Sequence, residues 1–169
     1  MKIAKTFGRM LKHLFAPPAG RLFTADRLQR IAQAIAGNER RHGGEICFAV
    51  ESALPWQAAL RGVDARSQAL AAFSRLSVWD TAANNGVLLY LLIADHRIEI
   101  VADRGLDDLV SAEQWRGVCQ LMEERLRAGE ADAAVIRGIE ATSDLLAAHY
   151  PQRPGTIDSD ELPNQPHVL

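Results

Sequence analysis

The chain has 169 residues, 48% of them apolar, and a formal charge of −2. That length and apolar content suffice for one domain with its own core. The near-neutral balance offers no domain-wide basic surface, which excludes nucleic acid as a main partner and leaves the oligomeric state open.

Residues 1–20 form a basic amphipathic segment. Ile3, Phe7, Met10, Leu11 and Leu14 repeat at helical spacing, with Lys2, Lys5, Arg9 and Lys12 largely between them. Beside disorder of the segment, two readings are open. The helix engages an anionic membrane surface or a protein partner through residues 1–16, or it packs on its own domain with its lysines in solvent. Pro17-Pro18 separates it from the first core helix, so removing residues 1–16 is expected to leave the domain folded. No run approaches the ~18 apolar residues of a membrane span, and no uninterrupted apolar stretch precedes the prolines. A cytoplasmic protein is therefore expected.

Residues 21–150 read as one α/β domain. Thr24 is a candidate N-cap, and Leu28, Ile31, Ala32 and Ile35 mark one helical face. His42 is expected at a solvated helix end before the stop Gly43-Gly44. Residues 45–51 form a short apolar strand, and Pro55 opens a loop. Asp64 caps a second helix, with Leu70, Phe73 and Leu76 expected inward. Residues 87–93 and 97–102 form two strands joined by Ala94-Asp95-His96, a hairpin.

Ser111 and Gln114 fit a capping box opening a helix with the stripe Trp115, Val118, Cys119, Met122 and Leu126, ended by Gly129. Residues 131–150 form a last helix, stopped by Pro151. Residues 151–169 read as a Pro-rich acidic tail, with Asp158, Asp160 and Glu161 in solvent. Cys47 and Cys119, without a CxxC, read as reduced thiols of the core. Phe48, Leu89, Leu91, Ile98, Ile100 and Cys119 are expected to be buried, and the three tryptophans (Trp56, Trp79, Trp115) to serve mainly as packing groups.

Strand, helix and strand make a βαβ unit, whose strands run parallel. The expected fold is a small mixed α/β sheet, a parallel pair plus an antiparallel hairpin, with helices on both faces. One sheet edge then gathers His42, Glu45, Asp80, Asn84 and Asn85 beside Asp103 and Arg104. The opposite edge holds Glu51, Trp56 and the Asp95-His96 turn. Structural readings stand beside the chemical one. Asp80 can cap a turn or pair with Arg104, Asn84-Asn85-Gly86 can be only a turn, and Asp103-Arg104 can be a local ion pair.

The order of Gly44-Glu45-Ile46, Asn85-Gly86-Val87-Leu88-Leu89, Ala94-Asp95-His96-Arg97, Ile98-Glu99-Ile100 and Gly105-Leu106 resembles the TPM domain family, which includes thylakoid-lumen phosphatase-like proteins and many bacterial proteins. The resemblance implies an α/β sandwich and, for some members, calcium binding and weak acid phosphatase activity. Relatives usually place an acidic residue where this chain has Asn84, and often G-Y-G where it has Asp103-Arg104-Gly105. One carboxylate is lost and a cation gained, so the implied site for Ca2+ or another divalent ion is a weak one.

No G-x-S-x-G, phosphate loop, H-E-x-x-H or C-x-x-C occurs. Catalysis, left open, would be metal-assisted phosphoester hydrolysis. Asp80 and Asp103 would hold the cation, Asn84 or Asn85 would add neutral oxygen, and Arg104 would meet phosphoryl charge. The favoured expectation is a non-catalytic interaction module acting near a membrane or with a membrane-associated partner. The metal-dependent phosphatase is the alternative.

Overall fold

The computed structural model describes residues 2–152 and 161–169. Four strands order as β3-β2-β1-β4. Strands β1 (Glu45–Glu51) and β2 (Gly86–Leu92) run parallel, with Glu45 opposite Gly86 and Glu51 opposite Leu92. Strand β3 (Arg97–Ala102) returns antiparallel to β2, pairing Leu89 with Ile100. The mixed α/β sheet expected from the sequence is present, and both central strands are buried on both faces, as parallel strands between helices require.

The period-two alternation divides the strands between two apolar layers. Ile46, Phe48, Val50, Val87, Leu89, Leu91, Ile98 and Ile100 face one layer. There they meet α3 (Ala25–Glu39), α6 (Ala112–Arg127) and α7 (Ala131–His149) through Ile31, Ile35, Val118, Met122, Val135 and Ile139. Cys47, Ala49, Leu88, Tyr90, Leu92 and Val101 face the other layer, against α5 (Ala65–Arg75). Burying each large aliphatic side chain is worth roughly 1.5–3 kcal/mol, so these layers are the main stabilising term.

Local start signals act where the sequence places them. Thr24 and Asp64 accept from the amides of Arg27 and Ser67, and Ser111 with Gln114 closes a full capping box. Gly129 ends α6 at φ +81.

Other expectations are corrected. On α5 the small residues Ala65, Ala69 and Ala72 face the sheet, letting the helix lie close; Leu70 is exposed, and Phe73 and Leu76 are half-buried. Trp56 and Trp79 are about half exposed, at 52% and 50%, so they are not core packing groups. Cys119 is only partly buried beside the first layer. His42 is fully buried rather than solvated.

Two short helices, α2 (Ala19–Leu22) and α4 (Trp56–Leu60), fill segments expected as loops. At the C-terminus, β4 (His167–Val168) pairs parallel with Ala49 and Val50 and covers the free edge of β1. Leu162 enters the second apolar layer. The buried carboxylate of Glu45 accepts the amides of Glu161 (3.3 Å) and Leu162 (3.2 Å). Glu161 is exposed but accepts the Ala82 amide at 2.9 Å. The expectations on Asp158 and Asp160 fall outside the described residues.

The first helix, α1 (Lys2–Leu14), docks through Arg9 and His13, with Met10 half-buried. Arg9 Nε lies 3.1 Å from each Asp95 carboxylate oxygen, and its Nη2 lies 2.6 Å from one of them. His13 Nε2 reaches the same carboxylate at 3.1 Å, while its Nδ1 accepts the Leu54 amide at 2.9 Å. A neutral imidazole with its proton on Nε2 satisfies both contacts. Burial opposes the charged form of Asp95, but the bonds and charge of Arg9, aided by His13, outweigh it and hold the carboxyl below its usual range.

Candidate functional site

The polar edge forms where the two parallel strands begin and β3 ends. Asp103 N donates to Gly86 O, and Gly105 N to Asn84 O, which stitches the turn before β2 to the turn after β3. Asn84 sits at φ +51, a left-handed conformation that asparagine tolerates. Gly105 is required for the close approach: a β-carbon there would stand 2.5 Å from Asn84 O and 2.7 Å from Ala83 O.

Four of the five expected site residues come together, and each commits one side-chain polar atom to a hydrogen bond. Arg104 Nε donates to Asn84 Oδ1 at 3.1 Å. Asp103 Oδ1 accepts the Arg104 amide at 2.8 Å. Asn85, nearly fully buried, donates from Nδ2 to Gly43 O at 2.8 Å, and its amide donates to Thr81 Oγ1. Asp80 lies on the preceding turn, exposed, and its carboxylate bonds no described residue. Arg104 therefore pairs with Asn84 rather than with Asp80. Asp103 Oδ2 is buried and has no hydrogen-bond partner among the described residues.

This donor set does not fit a calcium ion as it stands. Calcium takes about 6–8 oxygens, several of them from carboxylates. Here a guanidinium holds Asn84 Oδ1, Asn85 braces Gly43, and Asp80 extends into solvent. Among the described residues, no group of three or more His, Cys, Asp or Glu side chains is arranged to hold a metal ion.

The same edge also holds Tyr150, which sequence reasoning missed, and His42, which the sequence placed at this edge but in solvent. Tyr150 Oη donates to Gly105 O at 2.8 Å, tying the end of α7 to the turn. His42 Nδ1 lies 3.0 Å from Gly44 O, to which it donates, and Nε2 has no hydrogen-bond partner among the described residues. Burial lowers the His42 pKa to about 4, only partly opposed by the Gly44 bond. Elsewhere, burial pushes the Cys47 thiol up to about 12 and Cys119 to about 11, so neither is a ready nucleophile.

At the opposite edge, the buried Glu51 carboxylate accepts from Tyr90 Oη at 2.5 Å and from Gln68 Nε2 at 3.0 Å. Burial, then the Glu51 bond, raises the Tyr90 pKa well above the usual phenol range.

A mixed sheet sandwiched by helices, with the turn before β2 laced to the turn after β3, defines the class of this protein. The family model described as TPM_phosphatase, TPM domain, matches residues 19–145, and the chain belongs to the TPM domain family. The match leaves α1 and β4 outside it. Among solved structures, the chain is similar to the NMR structure of the BA42 protein from the psychrophilic bacterium Bizionia argentinensis. The two are 28% identical with a TM-score of 0.76, over 87% of this chain and 95% of that one. A search of the curated proteins finds no match. Among the described residues no helix is long and apolar enough to cross a membrane.

Proposed function

We propose that this TPM domain is a non-catalytic interaction module that docks on an anionic membrane surface through α1. One observation carries the reading: α1 leaves large apolar side chains in solvent. Its polar residues Arg9 and His13 face the domain, with His13 only 5% exposed, whereas Phe7 (55%) and Leu14 (60%) stand in solvent. Leu11 and Phe15 extend the apolar strip, and the neighbouring α4 adds the exposed Trp56 and Leu60. Exposed large apolar side chains on two packed helices are the kind of feature that marks an interaction surface. The sequence of the same helix carries Lys2, Lys5 and Lys12, the positive charge that an anionic bilayer attracts.

Vesicle co-sedimentation tests the reading. The full chain should pellet with phosphatidylglycerol-containing vesicles and much less with pure phosphatidylcholine. Phe7→Ser with Leu14→Ser should abolish pelleting while leaving the fold intact. Equal partition to both lipids, or none to either, would sink it.

A weak calcium-dependent phosphatase is the second reading, and its support is the unpartnered Asp103 Oδ2. A cation there requires Arg104 to release Asn84. Asp103→Asn should then abolish any calcium-induced thermal shift, and Arg104→Ala should preserve or enlarge it. No shift of the wild-type protein in millimolar calcium, magnesium or manganese removes this reading.

A further inference from the structure

A cavity of about 820 Å3 opens on the sheet edge opposite the Asn84–Asp103 turn, where the parallel strands end and the hairpin turns. Its size falls within the roughly 300–1,000 Å3 of small-molecule sites, and the carboxyl ends of parallel strands are where open α/β sheets commonly bind ligands. Leu91 and Ile93, each at most 5% exposed, belong to its lining, as do Leu22, Leu126 and the exposed Phe15. Four of these five side chains are aliphatic, which suits a flexible alkyl chain better than a flat ring.

The charged groups at the cavity are unbalanced. Glu123 is its one lining carboxylate, and Arg127 already pairs with it at 2.7 Å. Lys12 also lines the cavity and forms no ion pair with any described residue. His96 adds a donor from the hairpin turn, held at φ +49. Asp95 beside it is engaged by Arg9 and His13. An apolar lining with a spare cation accepts a chain that ends in an anion.

We propose that this cavity binds a small amphiphilic carboxylate, a straight alkyl chain whose headgroup meets Lys12. The site is independent of the polar edge, and it does not require membrane docking. The alkyl chain fills the space beside Leu91, Ile93 and Leu126, and burial of its methylenes contributes most of the affinity. The carboxylate stays at the mouth, where the Lys12 ammonium and the His96 ring can meet it without being desolvated in the core.

Amide-resolved NMR on the full chain, without vesicles, tests this with sodium decanoate below its micelle concentration. Saturable shifts are expected at Leu91, Ile93, Ala94 and Leu126, with none at Asn84 or Asp103. Decyltrimethylammonium should bind about tenfold more weakly or worse, and Lys12→Glu should weaken decanoate by a similar factor. Leu126→Trp, which fills the cavity with an indole, should abolish binding in a chain that still gives a folded spectrum.

The proposal is overturned by any of three results: no saturable shift at those amides, equal affinity for the two amphiphiles, or unchanged decanoate binding in either variant. Lys12 and Phe15 serve both readings, but the failures are distinguishable: Phe7→Ser with Leu14→Ser spares the lining and should keep decanoate binding, whereas Leu126→Trp should keep vesicle pelleting.

Discussion

His42 shows how one residue can carry a pH dependence that the sequence conceals. Before two glycines it reads as a solvated helix end, yet the turn folds under α7, the residue bridges to Pro151, and its ring is fully buried. In the native state its pKa is lowered to about 4 from the usual 6.5, chiefly by burial. Between these values the unfolded chain binds a proton that the native chain does not, so stability rises with pH across that window. The contribution is complete above the unfolded pKa of about 6.5 and is lost as pH falls towards 4. Denaturant melts should therefore show a loss of about 2 kcal/mol between pH 7.5 and pH 5 from this residue. His42→Asn should flatten that part of the profile, even if it lowers stability throughout. An unchanged slope in the variant would mean that the ring is hydrated in solution.

Among the elements, α1 departs furthest from its sequence pattern. Amphipathic spacing normally predicts that the apolar stripe faces the core; here Asp95 recruits Arg9 and His13 from 86 and 82 residues away and leaves Phe7 and Leu14 of that stripe in solvent. Nothing local encodes that pairing, whereas the caps at Thr24, Asp64 and Ser111 are encoded within three residues and were legible. Truncation at residue 16 therefore has a cost that the Pro17-Pro18 break hides. It leaves the buried layers intact but strips Asp95 of the Arg9 and His13 bonds and the Leu54 amide of its acceptor. The truncated chain should show a folded far-ultraviolet dichroism spectrum, reduced only by the helix removed, and lose about 1–3 kcal/mol in urea melts. Asp95→Asn should recover part of that loss in the truncated chain, and should destabilise the full one. Truncation with no stability change would show that α1 is not docked in solution.

Over the whole molecule, the sheet was legible because its pattern is strong: two apolar runs, a hairpin turn, and a crossover whose handedness and direction are constrained. Strand β4 was not, because two residues after a proline-rich stretch carry no period, and their pairing depends on the exposed edge of β1. The convergence of Asn84, Asn85, Asp103 and Arg104 followed from topology alone. Their hydrogen-bond commitments did not, since the choice of Arg104 for Asn84 over Asp80 is decided by turn geometry.

The cavity at the far edge was invisible for a related reason: its lining comes from α1, α2, the hairpin and α6, distant segments that no single window contains.

Because one sheet serves two apolar layers, damage to either layer should be felt by both. Ile100 is 7% exposed and packs in the layer of α3, α6 and α7, while its neighbour Val101 faces α5. Ile100→Ala removes buried methyl and methylene groups and leaves a cavity that the rigid strand cannot close, so it should cost on the order of 2–5 kcal/mol. Tryptophan fluorescence reports mainly on the first layer, against which Trp115 packs, since Trp56 and Trp79 are half exposed, while dichroism reports on both layers. Fluorescence and dichroism should lose signal at one denaturant midpoint, as a two-state domain requires. A cost below about 1 kcal/mol would put Ile100 on the wrong face of β3. Separate midpoints would mean that the two layers melt independently, and that the sheet does not couple the α5 side to the α3, α6 and α7 side.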